Sequence, residues 1–324
     1  MREQRSLSGL GITITRLRVP AELGVVEAIR QLRATFPGLL VDVNAVYRSQ
    51  SIAADMAADH PARMVGWNGS VADCGEGRVI GLVDKAVDMA AMPDANLVQQ
   101  DFIGDGVPAD PGHGTGTAAL LLGADAVPGL VPGSSLRVAS VFQLAEDGTT
   151  ITTASSIAEA LDWLVGSGVN LVNLSLAGSD NVLLNVAVRR AVARGTVLVA
   201  AAGNGGPEAP PAYPAAYDGV LAVTAIDSLF NPFPAANRGD YIDLAAPGVD
   251  VPTLDGTTPV LRSGTSLAAP FVTALLAAET AAVGLSPDEA VSWLEGEAID
   301  LGAPGRDDVY GWGLAKLNGV CAAE

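Results

Sequence analysis

The chain predicts an α/β fold: a mostly parallel sheet covered by helices on both faces, preceded by a small α+β unit. Three observations lead there. From Arg78 onward, short apolar runs rich in Val, Leu and Ala recur at residues 79–83, 136–142, 169–175, 197–202, 220–225 and 241–245. They lack the alternation of a half-exposed strand, so both of their faces are to be buried. Helical stretches at 116–122, 154–165 and 182–194 separate them, and apolar strands interleaved with helices make a parallel sheet. Residues 10–48 carry a different, smaller strand–helix–strand (βαβ) pattern of their own.

In chain order, Ile12 and Ile14, then Leu17 and Val19, read as a strand with one shift of face. Val25, Ile29, Leu32 and Phe36 fall at spacings of 4, 3 and 4, one stripe of a helix. Val41, Val43, Ala45 and Tyr47 alternate along a second strand. Residues 49–72 are Ala- and Asp-rich without a sustained period and read as a linker. The organisation is therefore a unit at 1–48, a linker at 49–72 and a large domain at 73–324. Near the end, Ser286-Pro287-Asp288-Glu289 is a helix start: Ser caps, Pro fits the first position, and Glu answers three residues on.

With 324 residues, 49% of them hydrophobic and 17% charged, the chain can bury a large core. Its net charge of −18, with only 18 Lys and Arg, argues against a nucleic-acid binder, which needs cationic patches for phosphates. The acidity suits solubility. No apolar run reaches transmembrane length without charge or Gly. Residues 1–9 are polar and lack a signal-peptide core, so the chain is either cytoplasmic or begins after a removed targeting segment. Cys74 and Cys321 lack metal-ligand spacing; they are either a long-range disulfide or two separate buried thiols.

In open α/β sheets, chemistry collects beyond the carboxyl ends of the strands. Asp84 ends the run Val79-Ile80-Gly81-Leu82-Val83. His113 opens the following helix in His113-Gly114-Thr115, Asn204 follows residues 197–203, and Ser266 precedes the long apolar run 271–283. Ser266 follows a Gly-Thr turn at a helix N-terminus, beside backbone N–H groups and the positive end of the helix dipole. Pro270 is expected at a position with no helical partner to lose. Each residue also has an ordinary reading: Ser266 as a helix cap, His113 as a helix-start residue bonded to backbone, Asp84 and Asn204 as turn residues. His60, in the linker with no motif around it, is assigned no role.

Together these blocks resemble the subtilisin-like (subtilase) serine peptidases. The resemblance covers about residues 74–319. Val79-Ile80-Gly81-Leu82-Val83-Asp84 is similar to the aspartate strand and His113-Gly114-Thr115 to the histidine motif. Asn173-Leu174-Ser175-Leu176 resembles the strand lining the cleft, and Ala201-Ala202-Gly203-Asn204 the oxyanion segment. Gly264-Thr265-Ser266-Leu267-Ala268-Ala269-Pro270 matches the serine motif, and Tyr310-Gly311-Trp312-Gly313-Leu314 resembles the closing segment. The resemblance implies a three-layer sandwich and a serine endopeptidase working through an acyl-enzyme. Ser266 would be nucleophile, His113 base, Asp84 the group orienting the imidazole, and Asn204 an oxyanion donor. It implies a peptide or protein substrate along Ser175, Leu176, Ala177, Gly178, Ala202 and Gly203. Ala200 and Ala201 would join the pocket, with Ala177 and Ala212 at its walls. Ala where relatives often have Gly narrows that pocket, predicting small to medium apolar side chains before the cut.

The departures are specific. Lys85 and Ala86 follow Asp84 where relatives usually carry Ser or Thr, then Gly, so a small hydroxyl that could support Asp84 is missing. Gly116 stands where many relatives have a second His, and Leu267 replaces a frequent Met, removing an oxidisable thioether. No cofactor is implied and no metal site assigned; residues 123–132 offer calcium only Asp125 as a carboxylate. The unit at 10–48 resembles a shortened propeptide, implying an intramolecular inhibitor, self-processing within 49–72, and an extracytoplasmic or secreted enzyme. The rivals are acyl transfer to an amine rather than water, and a pseudo-peptidase that only binds peptides.

Overall fold

Seven strands form the central sheet. Their spatial order is Leu244–Pro247, Val220–Ile226, Val197–Ala201, Leu171–Leu174, Val79–Asp84, Ser135–Ser140 and Leu97–Asp101. Every neighbouring pair is parallel. The computed structural model describes residues 2–20, 23–49, 52–54, 61–67, 72–124, 127–279, 285–317 and 321. His60 and Asp125 lie outside the described residues.

Strand side chains divide between two cores because successive residues point to opposite faces. Ile80, Leu82, Val138, Val199, Leu221 and Val223 join one apolar cluster, with the helices Gly112–Leu122, Thr265–Ala278 and Pro287–Glu297. Val83, Ala139, Leu198, Ala200 and Ala222 join the other, with the helices Ala154–Gly166 and Val182–Val192. That division is the physical content of a three-layer sandwich, and it explains why the strands read as unbroken apolar runs. The last helix starts as its sequence predicts, with the Ser286 hydroxyl and the Glu289 carboxylate each serving the other residue's backbone N–H.

The N-terminal part departs from the plain strand–helix–strand expectation. Strand Ile12–Leu17 is present but pairs antiparallel with an additional strand, Arg2–Leu7. The helix runs Val25–Thr35. The strand expected from Val41 begins only at Val46 and ends at Ser49. It pairs with neither strand of that hairpin. Instead it lies antiparallel between Thr150–Thr153 and Leu176–Gly178 of the large domain. The hairpin packs on helix Ala154–Gly166: Leu7 and Leu10 are buried in the second core. The Leu10 N–H donates to Asp162 at 2.6 Å, and Arg5 pairs with Glu159.

Residues 49–72 carry more structure than a linker. Ile52–Ala54 pairs antiparallel with Thr258–Ser263. Val65 and Trp67 are buried in the first core, and Trp67 Nε1 donates to the Leu130 carbonyl at 2.8 Å. Their burial ties the chain from Val65 onward to the large domain. Cys74 and Cys321 form a disulfide, with Cα atoms 5.4 Å apart.

Candidate active site

Three elements bring the predicted polar residues together at the carboxyl rim of the sheet. Asp84 is the last residue of its strand and is wholly buried. His113 is the second residue of helix Gly112–Leu122, and Ser266 the second of Thr265–Ala278. The helix carrying His113 can approach the Asp84 loop because residue 114 is glycine: a Cβ there would lie 2.2 Å from the Lys85 carbonyl oxygen and 2.5 Å from that of Ala86.

The resulting geometry is continuous. His113 Nδ1 lies 2.7 Å from Asp84 Oδ1, and Nε2 lies 3.0 Å from Ser266 Oγ. An ionised carboxylate only accepts, so the proton of a neutral imidazole sits on Nδ1 and Nε2 faces the serine as an acceptor. Asp84 Oδ1 also accepts from the Lys85 backbone N–H at 2.6 Å. Thr117 Oγ1 lies 3.0 Å from Asp84 Oδ2. Lys85 thus serves the carboxylate through its main chain.

The serine helix removes one alternative reading and corrects one expectation. Its cap is Gly264, which places Ser266 inside the first turn, so Ser266 is not a capping residue. Pro270 lies inside the helix, four residues after Ser266, where an ordinary residue would donate to the Ser266 carbonyl. Proline cannot, and the Ser175 hydroxyl donates to that carbonyl instead, at 3.0 Å. Asn173 Nδ2 in turn donates to Ser175 Oγ at 2.7 Å, and Thr273 donates to Asn173 Oδ1 at 3.0 Å. The Ser175 side chain, expected along the cleft, is therefore turned inward and fully buried.

Asn204 is held by its oxygen. The Thr265 backbone N–H and hydroxyl donate to Asn204 Oδ1 at 3.1 and 2.9 Å, which fixes the amide flip and turns the NH2 the other way. The Gly203 N–H donates to Thr265 Oγ1 at 3.1 Å. The Gly205 N–H donates to Asn237 Oδ1 at 2.7 Å, and Asn237 Nδ2 donates to the Pro210 carbonyl at 3.1 Å. Ala212 packs against Gly203. Leu176, Ala177 and Gly178 form the strand beside Val46–Ser49. Ala200, Ala201 and Ala202 are wholly buried. The backbone groups of Ala202 are engaged, its N–H with Val223 and its carbonyl with Tyr241.

Sequence reasoning missed Thr117, Thr265 and Asn237. Thr265 lay inside the serine motif and was findable as its neighbour. Thr117 stands four residues after His113, on the same helix face. Asn237 had no local signal.

The sequence profile of the Subtilase family matches residues 75–313. Subtilisin DY from Bacillus licheniformis is 32% identical over 260 residues, 76% of this chain and 90% of that protein. Subtilisin Savinase from Lederbergia lenta is 32% identical over 258 residues, 75% of this chain and 90% of that protein. Among solved structures, the chain is similar to fervidolysin from Fervidobacterium pennivorans, described as a keratinolytic enzyme related to subtilisin. The TM-score is 0.66 at 25% identity, over 75% of this chain and 42% of that one.

Proposed function

Because the chain belongs to the subtilase family and is a subtilisin-like serine protease, we propose that it is an endopeptidase whose acyl-enzyme forms on Ser266. The single observation that carries this reading is the unbroken relay from Asp84 through His113 to Ser266, with contacts of 2.7 and 3.0 Å. As Ser266 Oγ attacks the peptide carbonyl, its proton passes to His113 Nε2, and Asp84 stabilises the imidazolium through Nδ1–H. The carbonyl oxygen gains the charge and is met by the Asn204 amide and the Ser266 backbone N–H. His113 then gives its proton to the leaving amine as the C–N bond breaks. Water repeats the sequence against the ester, releasing the acid and restoring Ser266. Residues 176–178 present an edge to which an extended peptide adds by main-chain hydrogen bonds.

The N-terminal unit is proposed as the first occupant of this cleft and its inhibitor. Val46–Ser49 pairs with Leu176–Gly178, and Ile52–Ala54 pairs with the strand that runs directly into the Ser266 turn. The described parts of this segment thus pair with the strand that follows Ser175, whose hydroxyl reaches the Ser266 carbonyl, and with the strand that leads into Ser266. Just before the segment, Asn44 Oδ1 accepts from the Ser155 N–H and Asp42 Oδ2 from the Val182 N–H, each at 2.9 Å. Two side chains of the unit thus cap the starts of two helices of the large domain. Self-cleavage is expected between Ser49 and Ile52. Residues 50, 51, 55–60 and 68–71, which hold most of the wider processing region, lie outside the described residues. An oxidising, extracytoplasmic location fits the disulfide, and recovery of the processed protein from culture medium rather than from cells checks it.

The decisive experiment pairs a fluorophosphonate probe and casein hydrolysis with intact-mass measurement of wild type and Ser266→Ala. Wild type should label, digest casein and lose its first ~50 residues; Ser266→Ala should do none of these. An unlabelled wild type would make the chain a peptide-binding protein. Equal retention of the N-terminal unit by both would exclude self-processing and leave hydrolysis standing.

A further inference from the structure

Asp84 is wholly buried, so each of its oxygens needs a donor from the protein. Oδ1 has two, the Lys85 N–H at 2.6 Å and His113 Nδ1 at 2.7 Å. Oδ2 faces the Thr117 hydroxyl at 3.0 Å. That hydroxyl also lies 3.1 Å from the His113 carbonyl, the backbone acceptor a helical threonine ordinarily uses. It has one proton for two acceptors. Given to the carbonyl, the proton would leave two oxygen lone pairs facing each other across 3.0 Å, one of them on a buried charge. Given to Oδ2, it makes the stronger, charge-assisted bond.

We propose that Thr117 is a positioning residue for the relay, its hydroxyl locking the Asp84 carboxylate so that Oδ1 stays on His113. This rests on reading Asp84, His113 and Ser266 as the catalytic relay. The residues after Asp84 are Lys85 and Ala86, neither of which carries a hydroxyl. The donor comes instead from one turn further along the helix that carries the base. The same short helix thus holds the imidazole and the group that aims its carboxylate, and Asp84 is gripped from both sides. Without the Thr117 bond the carboxylate can rotate about χ2, and the imidazolium formed during attack loses its fixed partner. Thr115 on the same helix is the contrast. Its hydroxyl donates to the Pro111 carbonyl at 2.9 Å and accepts from the Asp88 N–H at 2.9 Å, so it is spent on the local turn.

The test compares wild type, Thr117→Val, which keeps the shape without the hydroxyl, and Thr117→Ser, which restores it. On a peptide substrate, well below the melting temperature, Thr117→Val should lower kcat roughly tenfold, the scale of one hydrogen bond to a charged group. KM should stay within about twofold. The low-field proton resonance of His113 Nδ1–H should move or broaden in Thr117→Val, and Thr117→Ser should bring back both kcat and the resonance. Unchanged kcat in Thr117→Val overturns the proposal. So does a loss of kcat with an undisturbed resonance, or one that Thr117→Ser does not repair, since packing alone would then be at issue. Failure of wild-type Ser266 to label would instead bring down the relay reading itself.

Discussion

Ala212 shows how little separates one specificity from another in a cleft of this kind. It packs against Gly203 beside the Asn204 turn, and in the pocket that the family resemblance implies its single methyl would narrow the place for the side chain before the cut. One methylene's worth of room is worth about 10-fold or more in discrimination. Wild type should therefore prefer Ala, Val or Leu there, and Ala212→Gly should raise kcat/KM for Phe relative to Ala by roughly tenfold. A kinetic series over Ala, Leu, Phe and Arg reads this directly, and a marked preference for Arg in wild type would refute the narrow apolar pocket. At this scale the sequence was informative only where a residue sat inside a motif. Asp84, His113, Asn204 and Ser266 were legible because each follows or opens an apolar run that stands out in the sequence. Thr117 and Asn237 were not, because a threonine in a helix or an asparagine in a loop is ordinary until its partner is known.

The N-terminal hairpin behaves as an element docked on another element. Its turn reaches helix Ala154–Gly166 so closely that a Cβ on Gly9 would lie 2.2 Å from the Asp162 carbonyl oxygen and 2.8 Å from Oδ1. Asp162 grips the turn through the Leu10 N–H, and burial pushes its carboxyl above the usual aspartate range. Gly9→Val should therefore lift the hairpin off the helix. In a Ser266→Ala background, which keeps the chain whole, trypsin should cut at Arg16 and Arg18 several-fold faster than without the Gly9 change. Equal rates would mean that the Val46–Ser49 strand, not the hairpin, holds the unit in place. The expectation of a self-contained strand–helix–strand unit met a physical limit here. Alternation along residues 41–47 signals a strand, but not which partner completes it, and the nearer edge belonged to the large domain.

Across the whole molecule, the Cys74–Cys321 bond closes a sequence separation of 247 residues and fastens the start of the large domain to its end. A loop of that size contributes about 2–5 kcal/mol, chiefly by restricting the unfolded chain. Replacing both cysteines by Ser should lower Tm by roughly 5–15 °C, measured by calorimetry on the Ser266→Ala protein to avoid self-digestion. An unchanged Tm would show that the termini are held by packing alone.

By itself the sequence determined the fold class, and it named in chain order the polar residues that the fold gathers at the rim of the sheet. Strand runs buried on both faces, helical stripes and turn motifs are local patterns, and local patterns survive in one dimension. Only the tertiary structure decided the pairing of the cysteines, the pairing of strand 46–49 with residues 176–178, the Ser175 hydroxyl standing in for the N–H that Pro270 lacks, and the Thr117 donor on Asp84. These depend on groups brought together from 33 to 247 residues apart. Whether a hydroxyl or a strand edge finds a partner at such a distance is set by how the layers pack, which no nearby residue encodes.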